Sequence, residues 1–166
     1  MKPLSLIKRG FGGSTMKDVL YYTKEIVLAY KPRAILIYEG DNDISFGRKP
    51  DLIKKQMKQF CEKVWQSLPH CRIYVLSIKP SLSRESLWPK MVETNILFKT
   101  LCESDEKMTY IDVASTMINE DGSTKKDLFI EDGLHMKRQG YELWRVTVRN
   151  ALMKNELKYE ASSLKP

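Results

Sequence analysis

Ala34-Ile35-Leu36-Ile37-Tyr38, followed at once by Glu39-Gly40-Asp41-Asn42-Asp43, sets an uninterrupted apolar run against a polar loop. A strand with one wet face alternates apolar and polar residues, whereas a continuous run suits a parallel strand buried on both faces. The polar residues then fall at the strand's carboxyl end, where open α/β sheets bind their ligands. Gly, Asp and Asn also form turns. By itself the loop is therefore equally a plain turn or a source of an amide donor and hard metal ligands.

Working outward, the same alternation recurs. Leu4-Ser5-Leu6-Ile7 reads as a short strand, and Arg9-Gly10-Phe11-Gly12-Gly13 breaks it. Ser14 or Thr15 caps a helix, with Asp18 three residues beyond Thr15 as in a capping box. That helix carries Met16, Val19, Leu20, Ile26, Val27 and Tyr30 on one face and ends before Pro32. A second helix fits Asp51 to Leu68, with Ile53, Met57, Phe60 and Val64 on one side. Ile73 to Ile78 is the next buried strand. A third helix spans Ser86 to Glu103, Tyr110 to Val113 is a short strand, and a last helix begins near Arg138. Strands alternating with helices predict an α/β fold with a parallel sheet. One domain over 1–157 with a tail over 158–166 is expected, with no internal repeat or linker.

The composition is that of a globular chain, with 42% hydrophobic and 30% charged residues. No apolar run reaches the roughly 18–20 residues that span a bilayer, and no secretory leader is visible. The net charge of +7 is spread among acidic residues rather than gathered into a basic block. A nucleic-acid partner is therefore not expected, although charge alone keeps a nucleic-acid binder among the alternatives. Cys61, Cys71 and Cys102 are odd in number and lack Cys-x-x-Cys spacing, which suits buried reduced thiols better than a disulfide or zinc framework.

Two further loops carry candidate chemistry. Gly12-Gly13 before a helix can present backbone N–H groups to an anion, or simply turn the chain. Asp132-Gly133-Leu134-His135 can hold an acid–imidazole pair, in which the carboxylate fixes one ring nitrogen and frees the other as a base. A capping Asp beside an exposed His is the plainer alternative. His70, after Pro69, reads as surface.

Together, and in this order, the three loops resemble the later motifs of the SGNH (GDSL-type) hydrolase family. Arg9-Gly10-Phe11-Gly12-Gly13-Ser14-Thr15 is similar to its glycine block and Gly40-Asp41-Asn42-Asp43 to its Gly-x-Asn-Asp block. Asp132-Gly133-Leu134-His135 is similar to its Asp-x-x-His block, with Gly140-Tyr141 following. The resemblance spans residues 4 to 152. It implies a three-layer α/β/α fold with a flavodoxin-like parallel sheet, and a serine-type acyl ester hydrolase acting on a small-molecule ester without a cofactor or metal. His135 would be the general base and Asp132 its orienting carboxylate. The Gly13 N–H and the Asn42 amide would be the oxyanion donors.

The departure from the family is at the start. Its first strand ends in a Gly-x-Ser block that bears the nucleophile, and the residues before Gly13 contain none. Ser5 lies in a strand candidate and Ser14 is better suited to a cap, so neither is assigned as nucleophile. The expectation is a chain missing that first strand, truncated before the glycine block, with two buried strand edges left bare. The alternatives are a catalytically inactive SGNH-like binding module and a metal-dependent hydrolase using Asp41, Asp43, Asp132 and His135. Compartment stays open, since a true start at Met1 implies a cytoplasmic protein and a lost leader a secreted one. Oligomeric state is open as well.

Overall fold

The structure, a computed structural model, describes residues 4–160. Three strands, β1 (Ala34–Ile37), β2 (Arg72–Leu76) and β3 (Met108–Ile111), form one parallel sheet in the order β1-β2-β3. Ala34 pairs with Arg72, and Ile73 with Met108. The α-helices are α1 (Met16–Tyr21), α2 (Thr23–Ile26), α3 (Asp41–Ser45), α4 (Pro50–Ser67), α5 (Trp88–Glu103) and α6 (Arg138–Glu160). Helices α1, α4 and α5 cover one face of the sheet, and α6 covers the other.

Strand β2 shows why the layers form. Its side chains alternate between faces by the period-2 rule. Ile73 and Val75 join Met57, Phe60, Val64 and Phe98 on one side. Tyr74 and Leu76 join Ile111, Val148 and Leu152 on the other. A strand buried on both faces needs apolar residues at every position, as the run in the sequence indicates. Helix α4 starts with Pro50 at its first turn, where the missing N–H costs nothing. It buries Ile53, Met57, Phe60 and Val64 along one stripe. All three cysteines are buried and free. Burial pushes the Cys61 and Cys102 thiols up to about 12 and Cys71 to about 11.

On the sheet's α6 face, a buried carboxylate locks the helix down. Glu156 accepts from Arg72 at 2.6 and 2.7 Å and from the Tyr74 hydroxyl at 2.7 Å. Burial alone raises a carboxyl pKa, but these donors outweigh it and hold Glu156 below its ordinary value.

Several expectations are corrected. Leu4-Ser5-Leu6-Ile7 is not a strand, for it joins no ladder, and Leu6 and Ile7 are 56% and 62% exposed. A strand needs a neighbouring edge, and among the described residues β1 pairs only with β2. The single helix from Met16 to Tyr30 is three pieces, α1, α2 and a 3₁₀ turn over Leu28–Tyr30. The Thr23 hydroxyl donates to the Val19 and Leu20 carbonyls at this break, a local bond that competes with the helical ladder. The loop at Gly40–Asp43 is instead the start of α3. The strand expected over Tyr110–Val113 runs over Met108–Ile111. The tail expected from 158 continues α6 through Glu160, and 161–166 lie outside the described residues.

Gly40 makes the turn from β1 into α3. Its φ is +108°, and a Cβ there would sit 2.6 Å from the Ile78 Cδ1 atom. Gly47 also has positive φ, +75°, but nothing lies within 4 Å of its would-be Cβ. Gly40→Ala should therefore cost about 2–4 kcal/mol and Gly47→Ala only about 1 kcal/mol. Urea unfolding of the two variants checks this, and equal losses would remove the steric account of Gly40.

Candidate functional site

The site is assembled where β1 and β2 end. After β1, the chain turns at Gly40 and enters α3, which presents Asp41, Asn42 and Asp43 in its first turn. Helix α1 meets it from the glycine-rich segment. Thr15 caps α1 by donating both its N–H and its hydroxyl to Asp18, at 3.0 and 2.6 Å. The N–H of Met16, one of the unpaired donors at a helix start, is taken by the fully buried Asp43 carboxylate at 2.9 Å. The Asn42 Nδ2 donates to the Ser14 carbonyl at 3.0 Å, and the Ser14 hydroxyl donates to Glu39 at 2.7 Å. The first two motifs are thus laced together by side chains. Gly13 stands just before this junction, exposed, with φ +74°.

The loop after β2 joins the third motif to the other two. Arg84 donates to Asp41 at 2.5 Å and to the Asn42 Oδ1 at 3.2 Å. Because the guanidinium is donor-only, it fixes which end of the Asn42 amide carries the oxygen. The buried Lys79 ammonium lies 3.3 Å from Asp41, whose carboxylate also accepts from the Tyr38 hydroxyl at 3.1 Å. Farther along this loop, the N–H groups of Leu82 and Ser83 both donate to the Gly133 carbonyl, at 2.8 and 3.1 Å. Gly133 has φ +63°, and a Cβ there would meet Leu82 at 3.0 Å.

Asp132 and His135 sit on the segment so pinned. Asp132 Oδ2 lies 2.6 Å from His135 Nδ1, while its Oδ1 accepts the N–H groups of Leu134 and His135 at 2.8 Å each. The His135 hydrogen bond, then the two backbone donors, hold the Asp132 carboxyl down at about 2. An ionised carboxylate on Nδ1 puts the ring proton there and leaves Nε2 as the acceptor. His135 is 68% exposed and Asp132 42%. The pair is presented at the surface.

Glu39 differs in its electrostatics. Burial drives its carboxyl up to about 7, and the nearby Asp43, Asp18 and Asp41 add to the rise, against the lowering effect of the Ser14 hydrogen bond. Burial also raises Asp43 and lowers Lys79.

The structure links Gly13, Asn42, Asp132 and His135 through one chain of contacts, by way of Ser14, Arg84 and the loop at 79–84. Sequence reasoning missed Lys79, Arg84 and Glu39. The available signal was position for Glu39 and Lys79, which lie just past the carboxyl ends of β1 and β2, whereas Arg84 lies farther along the loop and carried no such signal. The four groups of the metal alternative are not gathered into a metal site. Asp41 is held by Arg84 and Lys79, Asp43 by Met16 and Arg48, and no cluster of three or more metal-ligating side chains occurs among the described residues. Ser14, the serine nearest this junction in sequence, binds Glu39 rather than His135. No helix among the described residues is long and apolar enough to cross a membrane.

Residues 2–143 match the model of the GDSL-like lipase/acylhydrolase family. No curated protein matches the chain. Several solved structures share its fold at low identity. A GDSL-like lipase from Bacteroides thetaiotaomicron superposes with a TM-score of 0.78 at 19% identity, over 89% of this chain and 75% of that one. An acetylxylan esterase from Geobacillus stearothermophilus, solved as a catalytic mutant, gives 0.73 at 14% identity, over 87% and 70%. The OSK domain of Drosophila Oskar gives 0.69 at 17% identity, over 84% and 71%.

Glu39 supplies a pH test of the site's electrostatics. A carboxyl raised to about 7 in the fold contributes stability that is complete below the unfolded value and is lost as pH rises through about 7. Glu39→Gln keeps an acceptor for Ser14 and removes the charge. The variant should be more stable than the parent at pH 8, by on the order of 1–3 kcal/mol, and no more stable at pH 4. Thermal melts at the two pH values read the difference. A gain independent of pH would mean that burial is not what strains this carboxylate.

Proposed function

The chain belongs to the GDSL-like lipase/acylhydrolase family, and we propose that it forms the larger part of a serine-type acyl ester hydrolase. The observation that supports this reading is the Asp132 carboxylate clasping His135 Nδ1 at 2.6 Å, on a segment tied to the same loop that orients Asn42. In this reading His135 Nε2 takes the proton of a serine hydroxyl as the serine attacks the ester carbonyl. It then returns that proton to the leaving alcohol, and water repeats the cycle on the acyl-enzyme. Asp132 stays ionised throughout and stabilises the imidazolium. The Gly13 N–H and the Asn42 amide meet the negative charge that develops on the carbonyl oxygen. Arg84 keeps the amide turned so that nitrogen, not oxygen, points away from it. No metal or organic cofactor has a step in this chemistry. The substrate class is a small ester, and the residues before Gly13 hold no Gly-x-Ser block to assign as the nucleophile.

A second reading, a binding module without catalysis, is favoured by one observation. Neither Ser5, in the unpaired leading segment, nor Ser14, bound to Glu39, is joined to His135.

Turnover of p-nitrophenyl acetate by the protein expressed from its own full transcript tests the first reading. His135→Ala should lower kcat by ~10²–10⁴-fold. Asn42→Asp, nearly isosteric but without the donor, should lower it by ~10²–10³-fold with KM little changed. A serine-directed fluorophosphonate should label one residue. Undiminished turnover in both variants would overturn the assignment. A folded protein with no turnover and no labelling would leave the binding module.

A further inference from the structure

At the far side of the sheet from β1, the outer edge of β3 has no strand beside it among the described residues. Ile73 donates its N–H to the Lys107 carbonyl, and Ser77 donates to the Ile111 carbonyl. Alternation along the strand then turns the N–H and C=O of Tyr110, and the C=O of Met108, away from β2. The Met108 N–H is taken by the Asp105 carbonyl. Proline, a bulge or a covering element would blunt such an edge. β3 holds no proline, and its register with β2 is unbroken. Between this edge and α5 runs a groove of about 590 Å³, lined in its middle by Val92, Ile96 and Tyr110. Ile96 is 60% exposed there, although isoleucine is among the most buried residue types.

The two ends of the groove differ in charge. Helix α5 leads directly into β3 and so runs back along it. Lys99, near the end of α5, lies toward the amino end of β3, whereas Asp112 and Glu120 follow β3 and lie toward its carboxyl end. Asp112 is already engaged by Ser115. Lys99 and Glu120 are exposed, and neither enters an ion pair among the described residues. A surface that is positive at one end, apolar in the middle and negative at the other complements itself after half a turn, which is what a two-fold interface requires. We propose that this face docks on the same face of a second copy of the chain, β3 against β3, antiparallel about a two-fold axis through Tyr110. The two Tyr110 residues then exchange N–H···O bonds, and each Met108 carbonyl accepts the Asp112 N–H of the other copy. A right-handed crossover sets α5 above β2 and β3, roughly one strand spacing from the axis, so the two α5 helices come about 10 Å apart, a packing distance for helices. Val92 and Ile96 of both copies meet there above the Tyr110 pair, and each Lys99 is carried toward the Glu120 of the other copy. The sheets join into one, and the candidate sites open at its opposite ends.

Sedimentation velocity of the unaltered chain at rising concentration should show monomer passing to dimer. Amide hydrogen exchange at Tyr110 and Asp112 should slow as the dimer forms. Lys99→Glu or Glu120→Lys alone sets like charges together at both symmetric contacts and should raise the dimer Kd at least ~10-fold. The two substitutions combined restore opposite charges and should bring Kd back to within ~3-fold of the parent. Tyr110→Pro removes the central donor while sparing the bonds to β2, as proline is tolerated on an edge, and should leave only monomer. Should that variant not fold, the charge exchange decides alone, since it is confined to exposed side chains. A chain that stays monomeric at every concentration overturns the interface. So does a dimer whose protected amides are those of Ala34 and Leu36, which places the contact at β1. Failure of the combined variant to recover association overturns the proposed register as well. None of these outcomes bears on the ester-hydrolase reading, which is read by turnover.

Discussion

Strand β2 is the element on which the others depend, because it alone in the described sheet has its backbone paired along both edges. Unpaired backbone groups cannot be buried without cost, so only a strand with two neighbours can take helices on both faces. Its alternate side chains build the two apolar layers. Its first residue, Arg72, also anchors α6 through Glu156. The Glu156 carboxylate is buried, and removing its partner leaves an uncompensated charge inside the fold. The Tyr74 hydroxyl supplies the further donor that makes the arrangement tolerable.

From the carboxyl end of β2 the same logic reaches the candidate site. Lys79 and Arg84 emerge there and enclose Asp41, so that two cations and a tyrosine hydroxyl surround one carboxylate. The arrangement gives α3 a fixed position against the β2 loop. Gly133 is then held by the backbone of that loop. Exposed His135 and half-buried Asn42 belong to segments far apart in sequence, and the loop at 79–84 is what couples them. A surface acid–imidazole pair gains little from burial. Its order comes instead from the two backbone donors on Asp132.

The β1 edge shows what happens when local preference lacks a partner. Leu4–Ile7 has the residues of a strand, yet β propensity expresses packing against neighbours rather than a backbone preference. With no edge at strand distance the segment runs unpaired and exposed. The break between α1 and α2 has the opposite origin. There the apolar spacing is helical throughout, and a single hydroxyl, that of Thr23, takes the carbonyls of the preceding turn.

The amino-acid sequence by itself determined the layered α/β class, the helices α4, α5 and α6 and the buried strand β2, because apolar periodicity reports burial directly, whereas β1, read as buried on both faces, leaves Leu36 exposed. It also marked the three loops that hold the candidate site, since glycine, aspartate and asparagine at strand ends are local signals. Tertiary structure alone decided that Leu4–Ile7 stays unpaired and that Glu39 is strained. It alone decided that Arg84 orients Asn42 and that the loop after β2 joins the third motif to the first two. Those features depend on which distant groups meet and on how much water their meeting excludes. Neither quantity is carried by the spacing of residues along the chain.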